Sequence, residues 1–223
     1  MAREGRSGLA AVLAMGLVAA GCSDGSDSGA ASSTPAASPS ASAGQSPAAT
    51  GTAFGDGVDE LRDGVWQIGE AGEVDFAVTD GALSLSGVRP AEGWQHQVSD
   101  DKDDDIEVHF TRGNARWKFE VEIDGSTMQI AKEVTLTGTD GGTYRVGSAG
   151  EVEVSPGRGD AAVTLGEVTS GEGWNATTRE ESSTDIEVEF VNGAGGKAEF
   201  ELEARDDGIK VEISQKLTGA RPT

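Results

Sequence analysis

The chain has 223 residues with 39 acidic and 17 basic side chains, a formal net charge of -22, and a single cysteine. That balance argues against nucleic acid, whose phosphates require a Lys/Arg surface, and against an anionic membrane surface. It leaves metal ions, cationic peptides and basic patches on other proteins as electrostatic partners. One cysteine excludes an intrachain disulfide.

Arg3 and Arg6 form a short basic head, and the apolar run from Leu9 to Ala20 ends in Leu17-Val18-Ala19-Ala20-Gly21-Cys22. A membrane-spanning helix needs about twenty apolar residues, so this shorter run is expected to be the core of a signal peptide over residues 1–21. Small residues directly before a lone cysteine resemble the bacterial lipobox, with Ala19 where leucine is commonest. The resemblance implies cleavage before Cys22, a diacylglyceryl thioether on its sulfur, and a mature protein held on the cell membrane facing the extracytoplasmic side. Two acyl chains, at about 0.8 kcal/mol per buried methylene, make a durable anchor.

Residues 22–52 are almost all Ser, Ala, Pro, Gly and Thr, with Asp24, Asp27 and Gln45 as the charged or amide interruptions. Side chains this small cannot offset the entropy of ordering, so the segment is expected to be a disordered tether. Its root-mean-square reach is on the order of 30 Å.

The remainder is duplicated. Gly64-Val65-Trp66-Gln67-Ile68-Gly69-Glu70-Ala71-Gly72-Glu73-Val74 matches Gly142-Thr143-Tyr144-Arg145-Val146-Gly147-Ser148-Ala149-Gly150-Glu151-Val152 at an offset of 78. Glu92-Gly93-Trp94, ten residues and Asp105-Ile106-Glu107-Val108-His109-Phe110 match Glu172-Gly173-Trp174, ten residues and Asp185-Ile186-Glu187-Val188-Glu189-Phe190 at 80. Phe119-Glu120-Val121-Glu122 matches Phe200-Glu201-Leu202-Glu203 at 81. The offset grows only at two Gly-rich turns, around Asp80-Gly81 and around Gly113-Asn114, as expected of two copies of one fold that differ in loop length.

Between turns the apolar period is two, as in Ile186, Val188 and Phe190 set between Asp185, Glu187 and Glu189. Asp124-Gly125 and Asp207-Gly208 mark hairpin turns between the last two strands of each copy. The expectation is an all-β protein: two tandem copies of a small antiparallel β-sandwich or barrel unit of six or seven strands, over 64–138 and 142–219. Units this small bury only about 60 per cent of their surface, and the linker between them is short, so the copies are expected to pack closely.

Residues present in one copy alone are not needed to build the unit. His96 matches Ala176 and His109 matches Glu189, so neither histidine belongs to the shared design, and His109, on the polar face of its strand, is expected at the surface. No G-x-S-x-G elbow occurs, and an enzyme is not expected. The candidate cation site is the run Asp100, Asp101, Asp103, Asp104 and Asp105, interrupted by Lys102. Such an oxygen-rich cluster would take Ca²⁺ as its cofactor ion. The run fails the EF-hand spacing, because Ile106 falls where glycine belongs and Arg112 where the closing glutamate belongs, and a solvated loop is the preferred reading. Trp94 and Trp174, each after Glu-Gly, are expected to be core aromatics at the start of a strand. Outward glutamates, Glu107 with Glu120 and Glu122, and Glu187 and Glu189 with Glu199, Glu201 and Glu203, are expected to face one another across hairpins. Either Lys118, Lys132, Lys197 and Lys210 neutralise them, or the acidic sheet face docks a cation or basic partner.

With its lipobox, tether and duplicated G-x-[WY]-x-[IV]-G-x-A-G-E-V and E-G-W-x10-D-I-E-V-x-F patterns, the chain resembles lipoproteins of high-GC Gram-positive, actinobacterial-type bacteria that carry a duplicated β-rich domain. The resemblance implies a fold and a location but no activity. The functional expectation is a membrane-anchored binding or scaffolding protein of the cell envelope. The alternatives are a cation or small-molecule binding module using acidic sheet faces and, less favoured, a hydrolase with a site between the repeats.

Overall fold

A computed structural model of the protein describes residues 54, 57–139, 141–157, 162–206 and 208–222. The expected signal peptide, the lipidated Cys22 and the tether to residue 52 lie outside the described residues. The described chain is all-β and antiparallel. Copy one contributes β1 (Gly64–Ile68), β2 (Gly72–Thr79), β3 (Ala82–Pro90), β4 (Gln95–Asp101), β5 (Asp105–Arg112), β6 (Ala115–Asp124) and β7 (Thr127–Thr139). Copy two repeats them as β8 (Gly142–Val146), β9 (Gly150–Pro156), β10 (Val163–Ser170), β11 (Trp174–Glu181), β12 (Asp185–Asn192), β13 (Gly196–Arg205) and β14 (Gly208–Ala220).

Each copy folds its first three strands into one sheet and its last four into another, and the two four-stranded halves join into one eight-stranded sheet. Its strand order is β11-β12-β13-β14-β7-β6-β5-β4. The period-two pattern explains the layering. Ile106, Val108 and Phe110 of β5 and Trp117, Phe119 and Val121 of β6 are buried on one side, as are Ile186, Val188, Phe190, Phe200 and Leu202 in copy two. On this side Trp66 and Phe76 of the small sheet close on Phe119 at 6.1 and 6.0 Å between rings, and Tyr144 closes on Phe200 at 5.4 Å. Burying each such side chain contributes about 1.5–3 kcal/mol.

The first duplicated motif is a turn-building device. A Cβ at Gly72 would lie 2.3 Å from the Arg89 carbonyl oxygen, and one at Gly150 would lie 2.1 Å from that of Thr169, with φ of 144° and 151°. Only glycine satisfies both demands. The second motif needs glycine for its backbone angle alone: Gly93 and Gly173 have φ of 80° and 78° and deliver Trp94 and Trp174 into the core, 5 and 8 % exposed. Both length differences between the copies fall in hairpin turns. Asp80 and Gly81, both left-handed, make a two-residue turn where copy two has a longer loop.

The close pairing of the copies takes a form that the pattern did not specify. β7 and β14 are each thirteen residues long and pair antiparallel along nearly their whole length. Glu133 pairs with Ser214, its own counterpart at the offset of 81, so a pseudo-twofold axis passes through that pair. To one side, Val134 meets Ile213; to the other, Lys132 meets Gln215. A lone copy would expose β7 as a long free edge, a template for uncontrolled pairing, and the duplication removes it.

One expectation is corrected here. Lys132 does not neutralise the acidic face: it is 2 % exposed on the core side of β7, its Nζ 5.3 Å from the centre of the Trp66 ring. Residues before β1, which the repeat pattern left unassigned, also pack into the core. Phe54 and Val58 are buried, and the Phe54 ring lies 5.2 Å from that of Trp117. The segment continues past copy two, where a Cβ at Gly57 would meet Gln215 Oε1 at 2.6 Å and Ser148 Oγ at 2.7 Å. It then returns to β1, where Trp66 Nε1 donates to the Arg62 carbonyl. Copy two has alanine at 198 where copy one has Trp117, so Phe54 fills space beside a side chain that only copy one possesses.

Candidate functional site

Strand alternation that buries one face of the eight-stranded sheet leaves the other face largely polar, with Val191 and Ala131 as apolar members. Register then decides which polar groups meet. The expected facing of glutamates is present: Glu107 pairs with Glu120, Glu187 with Glu201, Glu189 with Glu199, and Asp185 with Glu203. The pairing extends further, because Glu180 lies opposite Glu187 and Glu212 opposite Glu201. Glu180, Glu187, Glu201 and Glu212 therefore form one row across β11, β12, β13 and β14. At about 4.8 Å between strands the row spans about 14 Å. Its pseudo-symmetric counterpart in copy one is Asp100, Glu107, Glu120 and Ala131.

The two rows are compensated differently. In copy one, Lys118 Nζ bridges Glu107 at 3.0 Å and Glu120 at 2.9 Å, and His109 Nε2 contacts Glu107 at 2.7 Å. Burial pushes Glu107 up, but the hydrogen bonds from Lys118 and His109 outweigh it and hold the carboxyl below its ordinary value. In copy two the position of Lys118 is Glu199. Lys197 turns instead to Glu189 at 3.0 Å and Glu199 at 3.4 Å, and Arg179 also pairs with Glu189. These cations, Arg179 first, hold Glu189 below its ordinary value. Lys210 pairs with Glu212 at 2.8 Å. Glu201 is pushed above its ordinary value by burial and then by the charges of Glu212, Glu199 and Glu187. At the axis Glu133 is likewise raised, by burial first and then by Glu212.

The run Asp100, Asp101, Asp103, Asp104 and Asp105 forms the β4–β5 hairpin turn at one edge of this sheet. Lys102 N donates to the Asp105 carbonyl at 2.8 Å, Leu83 N to that of Asp103 at 2.7 Å, and Ile123 N to that of Asp104 at 2.8 Å. Copy two makes the same bonds through Ser182, Ser183 and Thr184, so the backbone of this hairpin does not depend on the acids. Lys102 Nζ sits 2.5 Å from Asp100. Asp105 lacks the hydroxyl donors that Ser182 and Thr184 give Asp185, at 3.2 and 2.6 Å, and its Oδ1 is buried without a hydrogen bond. Burial, then the charges of Asp100 and Glu120, push its carboxyl up. Among the described residues no three His, Cys, Asp or Glu side chains are gathered as a metal site, so the five aspartates do not converge on one point.

Hollows lie at several places on the described surface. One of about 640 Å³ lies between the N-terminal segment and the small sheet of copy two, lined by Gly57, Asp59, Arg145, Ser148, Glu151 and Thr169. Ser148 donates to Asp59 and accepts from Gln215 Nε2, while both histidines of the chain lie in β4 and β5 of copy one. A second, of about 390 Å³, lies beside β4 and includes Gln97, His109, Thr111 and Arg116. His109, expected at the surface, is only 13 % exposed and lies between Glu107 and Arg116, whose Nη2 is 3.0 Å from its Nδ1. A third, of about 160 Å³, sits on the acidic row of copy two. Trp94 lies beneath the Arg112 guanidinium, 4.5 Å from its ring centre, and Arg112 reaches Glu70 at 2.7 Å. That arrangement caps a core aromatic.

No family model matches the chain, and neither a curated protein nor a solved structure matches it.

The continuous row of glutamates, the axis through Glu133 and the inward Lys132 were not expected from sequence. The offset of 81 carried part of this signal, since it equates Glu133 with Ser214, but it gains meaning only once β7 is known to pair with β14.

Proposed function

We propose that this protein is a membrane-anchored, extracytoplasmic lipoprotein that acts without catalysis, as a binding or scaffolding platform presenting the open face of its eight-stranded sheet to a cationic partner in the cell envelope. The observation that carries the reading is the alignment of carboxylates in register across adjacent strands, on a sheet face that no other described strand covers. Opposed like charges cost stability, and a basic partner would relieve that cost on binding. Complementary charge also speeds encounter and discriminates between partners. The lipobox at Cys22 and the tether would hold this face at a distance from the lipid, with the acidic body repelled by anionic headgroups.

A photoreactive side chain placed at Thr135, on the open face, is expected to crosslink a basic envelope protein on intact cells, with capture abolished by high salt. The same group at Ser84, on the small sheet, is expected to capture nothing. Equal capture from the two positions, or none from Thr135, would overturn the reading. Cys22→Ser is expected to move the protein from the membrane to the soluble fraction.

A further inference from the structure

Copy one displays an occupied version of a site that copy two presents open. Glu107 and Glu120 face each other across β5 and β6 and hold one ammonium between them, that of Lys118, at 3.0 and 2.9 Å. Their counterparts Glu187 and Glu201 face each other in the same way across β12 and β13. The lysine is replaced by Glu199, and the neighbouring cations are engaged elsewhere. Lys197 and Arg179 are on Glu189, Lys210 on Glu212, and Arg205 on Glu203 at 2.6 Å. Among the described residues no cation pairs with Glu187 or Glu201.

We infer that Glu187 and Glu201 form a receptor for an ammonium group supplied from outside the chain, the ε-ammonium of a lysine on the basic partner protein. This rests on the proposed function and names the chemistry by which the partner is recognised. The internal comparison identifies the ligand, because the equivalent pair already binds a lysine ammonium. A compact ammonium with three donors fits between two carboxylates stacked across neighbouring strands, whereas a planar guanidinium prefers both oxygens of one carboxylate. The hollow over the pair, lined by Glu180, Glu187, Glu201, Glu203, Lys210 and Glu212, has a volume of about 160 Å³. Pockets for free small molecules run from about 300 Å³ upward, so the hollow accepts a side chain and relies on the rest of a protein to cover the face. Glu180 and Glu212 extend the row on either side and favour a partner carrying several lysines in succession.

The test uses the tethered chain from residue 23 onward with its folded body intact, and a fluorescent peptide of alternating lysine and serine as probe, in low salt. The wild type is expected to bind one peptide, more tightly than an arginine–serine peptide of equal length, and spermidine at the same concentration is expected not to displace it. Paired Glu187→Gln and Glu201→Gln substitutions should weaken binding at least ten-fold. Glu199→Lys, which recreates the lysine of copy one, should do the same while raising the melting temperature, which also shows that the variant folds. Glu122→Lys makes an equal charge change on the face of copy one and should weaken binding less than three-fold. Lys118→Glu should open the first site and raise the stoichiometry to two. If Glu199→Lys and Glu122→Lys behave alike, or the arginine peptide binds more tightly, or spermidine displaces the lysine peptide, the inference is wrong although the acidic-face reading stands. If the wild type binds neither peptide, the acidic-face reading itself fails.

Discussion

The two copies share a backbone down to their β-bulges, which interrupt β4–β5 after Val98 and β11–β12 after Thr178, yet they solve two problems differently. In the core, copy one places Trp117 where copy two has Ala198, and it completes the packing with Phe54 from the segment before β1. On the open face, copy one neutralises its glutamate pair with Lys118, whereas copy two leaves the pair bare beside Glu199. What both copies retain is needed for the fold. What differs is either a local packing solution or a difference in what the face can bind.

The core difference should give the largest effects. Trp117→Ala removes a fully buried indole and the surface against which Phe54 packs, and is expected to cost about 3–5 kcal/mol in urea unfolding. Phe54→Ala should cost about 3 kcal/mol. A loss under about 0.5 kcal/mol would mean that Phe54 belongs with the tether and that copy one folds without it. Ala198→Trp should be destabilising too, by about 1–3 kcal/mol, since copy two has no matching space.

The surface difference should be smaller and of opposite sign in the two copies. Lys118→Glu leaves Glu107 and Glu120 opposed without their bridge and should cost about 1 kcal/mol. Glu201→Gln removes repulsion from Glu187 and Glu212 and should stabilise by about 0.5 kcal/mol at neutral pH. The pH dependence follows from the direction of each shift. Glu201 and Glu133 are raised in the folded state, so the native protein binds their protons more tightly than the unfolded chain does. The stability they contribute is present below the ordinary glutamate range and is lost as pH rises through it towards the raised native value. The gain from Glu201→Gln should therefore fade on acidification. Glu107 and Glu189 are lowered and behave oppositely, contributing stability above the ordinary range that is lost as pH falls through their depressed values. A urea midpoint followed against pH for the wild type and Glu201→Gln checks both signs.

The smallest effect is expected at the β4–β5 hairpin. Replacing Asp103 with serine and Asp104 with threonine, as in copy two, should change stability by less than about 0.5 kcal/mol, because the same backbone bonds close both hairpins. Millimolar Ca²⁺, with Mg²⁺ as control, should shift the melting temperature of this variant and of the wild type equally. A calcium response confined to the wild type would make the aspartate run a cation site after all.

Much of this architecture was legible in the chain. Alternation in Ile106-Glu107-Val108-His109-Phe110 fixes a strand and its two faces locally, since successive side chains must point to opposite sides. Gly72 and Gly150, Gly93 and Gly173 marked turns that no other residue could make. The facing of Glu107 with Glu120 followed from a short hairpin, whose register is set by its turn. Phe54 could not be placed, because a single aromatic in a segment without periodicity carries no signal about what it packs against.

The sequence by itself determined that the described body is all-β, that it is doubled, and where its hairpins turn, because these depend on contacts between residues close along the chain. Only the tertiary structure decided that β7 joins β14, that Lys132 turns inward beside Trp66, and that four glutamates line up across four strands. The seam joins strands some eighty residues apart, and no local preference specifies that partner. It is fixed by the backbone bonds and buried surface gained when two otherwise exposed edges meet.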